Sequence, residues 1–335
     1  MRMGNRIAVA GMAACLLAWP VFGQAGALSE ADKRTLAEAN KYAVRGVKFV
    51  EGGSLQRAKS EFEKAVKIFP QHLDALYNLA VTCAKLGQRD EAIEDYKKYL
   101  AVAPNDADVW TQLGVLYDEG NRRPEAVAAY EKAIATDPKF GRAYHNLGVA
   151  LKERGRLEDA EKNLKQFLKL EEDAGRQTGE AYYSLAILYM QQGRATDAKL
   201  LLQKALDVDP NVAYYHNALG DVYLQEKEPQ LAIASYNKAI EKDSQSPVAY
   251  SGLGDALAQL GDAGKAATAY RKALQLRSDY SLVHFKLAKL FEITDPAEAI
   301  KQLETYLGSG KNLQFADEAK AKLAVLKMSS PNPKP

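Results

Sequence analysis

Apolar residues recur along this chain at helical spacing, in short runs broken at regular intervals. In residues 107–140, Trp110, Leu113, Gly114 and Tyr117 fall at i, i+3, i+4 and i+7 and predict one stripe of a helix. Gly120-Asn121 predicts a stop. Pro124 fits only the first turn of a following helix, where its missing N–H is not needed. Ala126, Tyr130, Ala133 and Ile134 form a second stripe, closed by Asp137-Pro138. The charged positions between them, such as Glu131 and Lys132, predict a solvated outer face.

This hairpin recurs when the window slides by 34 residues. Residues 39–72 carry Tyr42, Gly46, Phe49, Gly53, Ala58, Phe62 and Ala65 at its positions, and residues 73–106 carry Leu79, Ala80, Cys83, Gly87, Ala92 and Tyr96. Residues 141–174 carry Tyr144, Leu147, Gly148, Ala160 and Leu164. Residues 175–178 are inserted, and the register resumes at 179–212, 213–246 and 247–280. A last unit, 281–307, loses one residue before Ala299, Leu303 and Tyr306. Ser29 to Val50 predicts a long first helix capped by Ser29, with Asp32 in capping-box position, so residues 28–38 extend the first unit. Gly308-Ser309-Gly310 breaks the pattern, a helix from Leu313 to Leu326 within 308–328 closes the array, and 329–335 form a disordered tail.

The recurring glycines cost about 1 kcal/mol each against alanine inside a helix, so they must permit something. The expectation is close backbone approach of the two helices at Gly114, Gly148, Gly220 and Gly254, against Ala126, Ala160, Ala232 and Ala266. Departures are Arg45 in an apolar position, Phe167 in a small one, and Glu172, Ser244 and Ser278 in place of a closing proline. Residues 156–174 therefore predict a longer second helix. The loop after it, Gly175 to Gly179, reads either as passive variation or as a hinge between residues 39–174 and 179–327.

This pattern resembles the tetratricopeptide repeat (TPR) family, whose aromatic, Leu, Gly, Tyr, Ala, Phe/Tyr, Ala and Pro positions correspond here to Trp110, Leu113, Gly114, Tyr117, Ala126, Tyr130, Ala133 and Pro138. The resemblance spans about residues 39–307 and implies an all-α, right-handed α-solenoid of about eight helix–turn–helix repeats with a C-terminal capping helix. It also implies a concave groove lined by each unit's first helix. The groove positions carried over are Tyr77, Asn78 and Val81; Asp108, Thr111, Gln112 and Asp118; Arg142, His145, Asn146 and Val149. They continue with Tyr183, Ile187 and Met190, then Tyr214, Asn217, Asp221, Ser251 and Asp255. Amides among aromatics suit an extended peptide. The Lys and Arg of a carboxylate-gripping TPR are missing around Asn78, where Ala43, Val47, Asp108 and Gln112 stand. Around Asn146 they give way to Thr111, Val115, Glu180 and Ser184, which excludes that clamp.

Composition adds little to the fold and more to the setting. The chain is 47% hydrophobic and 26% charged, ordinary for a soluble protein. Arg2 and Arg6 ahead of the apolar run Ile7 to Phe22, followed by Ala25-Gly26-Ala27, predict a signal peptide over residues 1–27, with cleavage after Gly23 as an alternative. Periplasmic or secreted localisation follows. An uncleaved anchor or a lipidated Cys15 is the other reading. Residues 1–27 hold two arginines and no acid, so the remainder balances at 43 basic and 43 acidic residues, which excludes a nucleic-acid-binding surface. No transmembrane span is expected in the mature chain.

No H-E-x-x-H, C-x-x-C or phosphate loop is present, and His72, His145, His216 and His284 lie in separate units. Cys83 sits on an apolar stripe as a small hydrophobe. The expectation is a protein without catalytic residues, metal or cofactor, binding a protein or peptide, with envelope assembly or secretion as its setting. Self-assembly into a homo-oligomer is the alternative.

Overall fold

The computed structural model describes residues 29–176, 178–310 and 313–329, and every regular element among them is a helix. The helices come in sequential pairs. They are α1 (Glu30–Glu51) with α2 (Leu55–Ile68), α3 (Leu73–Lys85) with α4 (Arg89–Val102), α5 (Ala107–Glu119) with α6 (Arg123–Thr136), and α7 (Gly141–Glu153) with α8 (Leu157–Asp173). The pairs continue as α9 (Gly179–Gln191) and α10 (Ala195–Val208), α11 (Ala213–Gln225) and α12 (Pro229–Lys242), α13 (Pro247–Gln259) and α14 (Ala263–Leu276), and α15 (Ser281–Phe291) and α16 (Pro296–Gly308). A final α17 (Ala316–Ser329) packs on α16.

Seven of the eight pairs are joined by the same turn, while α15 and α16 are linked by the Asp295 N–H donating to the Phe291 carbonyl at 2.9 Å. The N–H of Arg122 donates to the Tyr117 carbonyl at 2.8 Å, and Gln88 to Cys83, Arg156 to Leu151 and Asp262 to Leu257 repeat the link. This six-to-one bond marks a Schellman ending, which requires a left-handed residue just before the donor. Gly87, Gly155, Gly193 and Gly261 fill that place, but in two units Asn121 (φ 57°) and Lys227 (φ 60°) do. The stop signal at Gly120-Asn121 thus works through Asn121, because Gly120 keeps an ordinary φ of −83°. Second helices end in extended residues, and there Asp137, Asp209 and Asp243 each accept the N–H two residues on, at 2.9–3.0 Å. That local bond closes the unit whether proline or Ser244 follows.

The recurring glycines do something different from the close backbone approach expected of them. A Cβ on Gly46, Gly114, Gly220 or Gly254 would lie within 3 Å of the ring of Phe62, Tyr130, Tyr236 or Tyr270 respectively. The missing side chain houses an aromatic ring from the second helix. At Gly148, where the partner is Leu164, the Ala160 carbonyl also comes within 3.3 Å of such a Cβ. Ala58, Ala92, Ala126, Ala160, Ala198, Ala232 and Ala266 are all fully buried. Tyr236 also presses on Gly252 of the following first helix, so one ring joins two units.

The chain divides into two compact units meeting between Leu170 and Glu171, inside α8. That helix has 17 residues against 14 in α6, as the sequence predicts, and the Phe167 ring packs against His145 at a tilt of 49°, centroids 5.0 Å apart. Gly179, expected in the loop, is the first residue of α9, where a Cβ would strike Tyr215. Arg45 settles over the Tyr42 ring at 4.4 Å and pairs with Glu61. Ser29 caps α1 by accepting the Asp32 N–H at 3.1 Å. The last helix begins at Ala316 rather than Leu313, because the Phe315 N–H donates to the Tyr306 hydroxyl and its ring stacks on Phe285 at 4.9 Å. Ser329, expected in the tail, ends α17. The expected signal segment 1–27 and residues 330–335 lie outside the described residues.

Candidate functional site

First helices contact one another within each unit, α1 with α3, α5 with α7, α9 with α11, α11 with α13 and α13 with α15. Their shared face is the candidate binding surface. In the first unit it carries a polar ladder. Arg142 on α7 donates to Asp108 on α5 at 2.8 Å, and the Tyr77 hydroxyl on α3 reaches the other Asp108 oxygen at a long 3.4 Å. The Tyr77 ring sits edge-on to Tyr96 and Tyr99 at 6.0 and 6.2 Å, and burial beside Asp108 pushes its hydroxyl up to about 12. The guanidinium of Arg142 is half exposed, so this pair contributes about 1 kcal/mol or less. Gln112, Asn146, Val81 and Val149 are half-buried on the same helices.

Three residues expected in this groove are packing residues instead. Thr111 is fully buried and donates to the Ala107 carbonyl at 2.8 Å. Asn78 is 6% exposed and donates to the Asp74 carbonyl. His145 is buried against Phe167. Helical side chains lean toward the preceding turn, which carries these three into their own helix pair. Asp118 is half-buried and accepts from the Tyr130 hydroxyl at 3.1 Å, with burial raising its carboxyl.

In the second unit the face is aromatic and acidic. Tyr183 on α9 meets Tyr214 and Tyr215 on α11 with centroids 4.9 and 5.4 Å apart, and Tyr214 is 46% exposed. The Tyr214 hydroxyl donates to Glu180 at 3.0 Å. Asp221 accepts from Tyr236 at 2.6 Å, and Asp255 accepts from Tyr270 at 2.7 Å. Desolvation pushes the Asp221 carboxyl up to about 6, against the Tyr236 hydrogen bond that lowers it. Ser251, expected as a surface residue, is 2% exposed and accepts from Lys286. Met190, Ile187 and Asn217 are half-buried. A cleft of about 550 Å³ continues the face, lined by Asp255, Leu282, Phe285, Lys286, Lys289 and Phe315 among others.

Lys286 is the groove residue that sequence reasoning passed over, and Glu180, weighed there only as a place where a clamp would need a base, holds the Tyr214 hydroxyl. A signal for the acceptors existed. Gly220-Asp221 and Gly254-Asp255 each stand 15 residues (Asp to Tyr) before the tyrosine whose ring fills the glycine and whose hydroxyl reaches the aspartate.

The remaining chemistry-bearing groups have structural partners. His72 caps α3 and meets Asn40, His216 meets the Pro210 carbonyl, and His284 meets Gln302. Burial raises the thiol of fully buried Cys83 to about 11, which keeps it protonated and inert. Among the described residues, no group of three or more His, Cys, Asp or Glu is placed to hold a metal ion. Among them, too, no helix is long and apolar enough to cross a membrane.

Paired helices of repeated length, seven pairs joined by one turn geometry and four holding a second-helix ring against a first-helix glycine, define an α-solenoid repeat protein with a polar–aromatic first-helix face. The chain belongs to the tetratricopeptide repeat family, whose models match residues 49–116, 87–147, 140–211, 183–247 and 254–292. No curated protein matches it. Among solved structures, a tetratricopeptide repeat protein from Parabacteroides merdae is similar at TM-score 0.63 and 18% identity, over 76% of this chain and 98% of its own. The APC/C hetero-tetramer Cut9–Hcn1 gives TM-score 0.62 at 21% identity, over 87% of this chain and 55% of that one. Yeast Tom70 gives 0.60 at 18%, over 87% and 64%. This chain therefore spans less than two thirds of those last two proteins.

Proposed function

We propose that this protein is a non-catalytic scaffold that binds a peptide or protein segment along its first-helix face. The observation that supports it most is the second unit's face, where an exposed Tyr214, the adjoining Tyr183 and the carboxylates Glu180 and Asp221 lie together on α9 and α11. Rings bury apolar side chains and polar groups bond an extended backbone. The signal-like segment 1–27 supports export, and with it a role in envelope assembly or secretion. Affinity capture from an envelope extract tests the proposal, with Tyr183→Ala, Tyr214→Ala and Asn146→Ala as variants. Loss of the captured partner in the tyrosine variants is the expected result, and unchanged capture by all three refutes the face assignment. N-terminal sequencing of the exported protein should begin at Leu28, or at Gln24 for the alternative cleavage; an intact Met1 counts against export by this route.

One observation favours self-assembly as a second reading. On α17 the residues Ala321, Ala324, Val325 and Met328 are all exposed at i, i+3, i+4 and i+7, with Val325 60% and Met328 80% exposed. A strictly monomeric mass by light scattering across concentrations removes this reading.

A further inference from the structure

Two neighbouring repeats of the second unit carry the same polar constellation, and only one of them is complete. In the later copy, Asp255 accepts from the buried Tyr270 hydroxyl, and the Lys286 ammonium donates to Asp255 at 2.6 Å and to Ser251 at 3.0 Å. Moving back by 34 residues replaces Asp255 with Asp221, Tyr270 with Tyr236 and Ser251 with Asn217. The place of Lys286 is taken by Gly252, which has no side chain, and the Tyr236 ring leaves no room there for a Cβ. Asp221 accepts from Tyr236 at 2.6 Å just as its counterpart does. Among the described residues no cation is ion-paired with it.

The earlier copy has acceptors in excess. The Asn217 Nδ2 points at Asp221 at a long 3.4 Å, and its Oδ1 is buried with no hydrogen-bond partner. A buried acceptor without a donor is destabilising, and a donor from a ligand would satisfy it. The aromatic surroundings have matching chemistry. Tyr183 feels the charges of both Glu180 and Asp221, and Tyr214 gives its hydroxyl to Glu180 while leaving nearly half its surface open. Ring faces beside carboxylates attract cations. The titratable groups facing Asp221 from packed elements are the phenols Tyr183 on α9 and Tyr236 on α12 and the charged Asp255 on α13 and Lys286 on α15, and the lysine is already engaged with Asp255.

We infer that Asp221 and Asn217 on α11, beside Tyr183 and Tyr214, receive a lysine or arginine side chain from an extended peptide, in the role Lys286 plays one repeat later. The inference rests on the peptide-binding reading of this face and names the residue class it selects. A bound cation would also neutralise a desolvated carboxylate whose internal partners, the Tyr236 hydroxyl and the Asn217 amide, carry no charge.

The test uses the full chain and three capped heptapeptides, alike except for a central arginine, citrulline or glutamate. Binding is read from NMR signals of the Asn217 side-chain amide and the Tyr183 and Tyr214 rings. The arginine peptide should shift these signals saturably at pH 7.5, with at least fivefold weaker binding for the citrulline peptide and none for the glutamate peptide. Asp221→Asn keeps an acceptor for Tyr236 and should bring the arginine peptide down to the citrulline level, and Tyr214→Leu, on the surface, should weaken it as well. If the citrulline or glutamate peptide shifts the same signals equally, the cation inference falls while the binding face stands. If no peptide moves any first-helix signal, both fall together.

Discussion

Replacing Gly220 by alanine isolates the contact that defines this fold. A methyl group at that position would stand 2.6–2.9 Å from three atoms of the Tyr236 ring. The ring has little freedom to retreat. It is fully buried, its hydroxyl is held by Asp221 at 2.6 Å, and Gly252 closes on it from the next first helix. Helix propensity alone favours alanine by about 1 kcal/mol. Overpacking costs roughly 1–3 kcal/mol, and a ring forced to move also loses a hydrogen bond to a charged acceptor, about 1.5–3 kcal/mol. The clash therefore outweighs the propensity, and Gly220→Ala should lose roughly 1.5–5 kcal/mol in urea unfolding followed by far-UV circular dichroism. Gly264→Ala is the internal control: it lies inside α14, and a Cβ there would meet only Asp262, at 3.9 Å. That variant should gain about 1 kcal/mol. In a Tyr236→Ala background the penalty at Gly220 should vanish. A Gly220→Ala protein as stable as the parent, with the control behaving as stated, refutes the ring-in-glycine account.

Other consequences are simpler to state. Lys227 holds a left-handed φ of 60° where most other units use glycine, so Lys227→Gly should stabilise by about 1 kcal/mol in the same melts, and a loss would contradict the strain. Ala126 is fully buried, and Ala126→Leu should cost roughly 1–3 kcal/mol; an unchanged midpoint would overturn the tight packing of α5 on α6. Burial raises Asp221 to about 6 from an ordinary 3.8, so its protonated form favours folding. That contribution is complete below about pH 4 and is lost as pH rises through 6, for a total of at most about 3 kcal/mol. Urea melts from pH 4 to 8 should show this slope, and Asp221→Asn should flatten it; an identical slope in the variant would refute the assignment.

The fold was legible because its signals repeat. A single Trp110–Tyr117 stripe is ambiguous, but the same stripe in register along the chain fixes helix ends, turn places and the longer α8. What the sequence left open was the partner of each glycine, because spacing shows that Gly114 needs room without showing that Tyr130 occupies it. The site was less legible for a geometric reason. Positions three or four apart on a first helix look equivalent in one dimension, yet Thr111 turns inward onto its own helix while Asp108 reaches Arg142 on the next. Which of these positions turns onto its own helix and which reaches across is settled by side-chain direction in three dimensions, and the repeat pattern does not carry that. The Asp137 turn was missed in the same way, since an aspartate before proline reads as a stop without revealing the bond to Lys139.

Packing and recognition share residues here, and the order of cause runs from the first to the second. A tyrosine ring chosen to fill a glycine brings a hydroxyl into a buried place, and that hydroxyl needs an acceptor. In the units of Tyr130, Tyr236 and Tyr270 the acceptor is an aspartate on the first helix: Asp118, Asp221 and Asp255. The stability requirement thus sets carboxylates along the face that neighbouring first helices share. Their fates then differ by residues that packing does not dictate. Lys286 neutralises Asp255, and the equivalent place beside Asp221 is Gly252, which Tyr236 keeps empty. The individual character we propose for this otherwise repetitive array resides in Asp221, a structural acid with no ion-paired cation among the described residues.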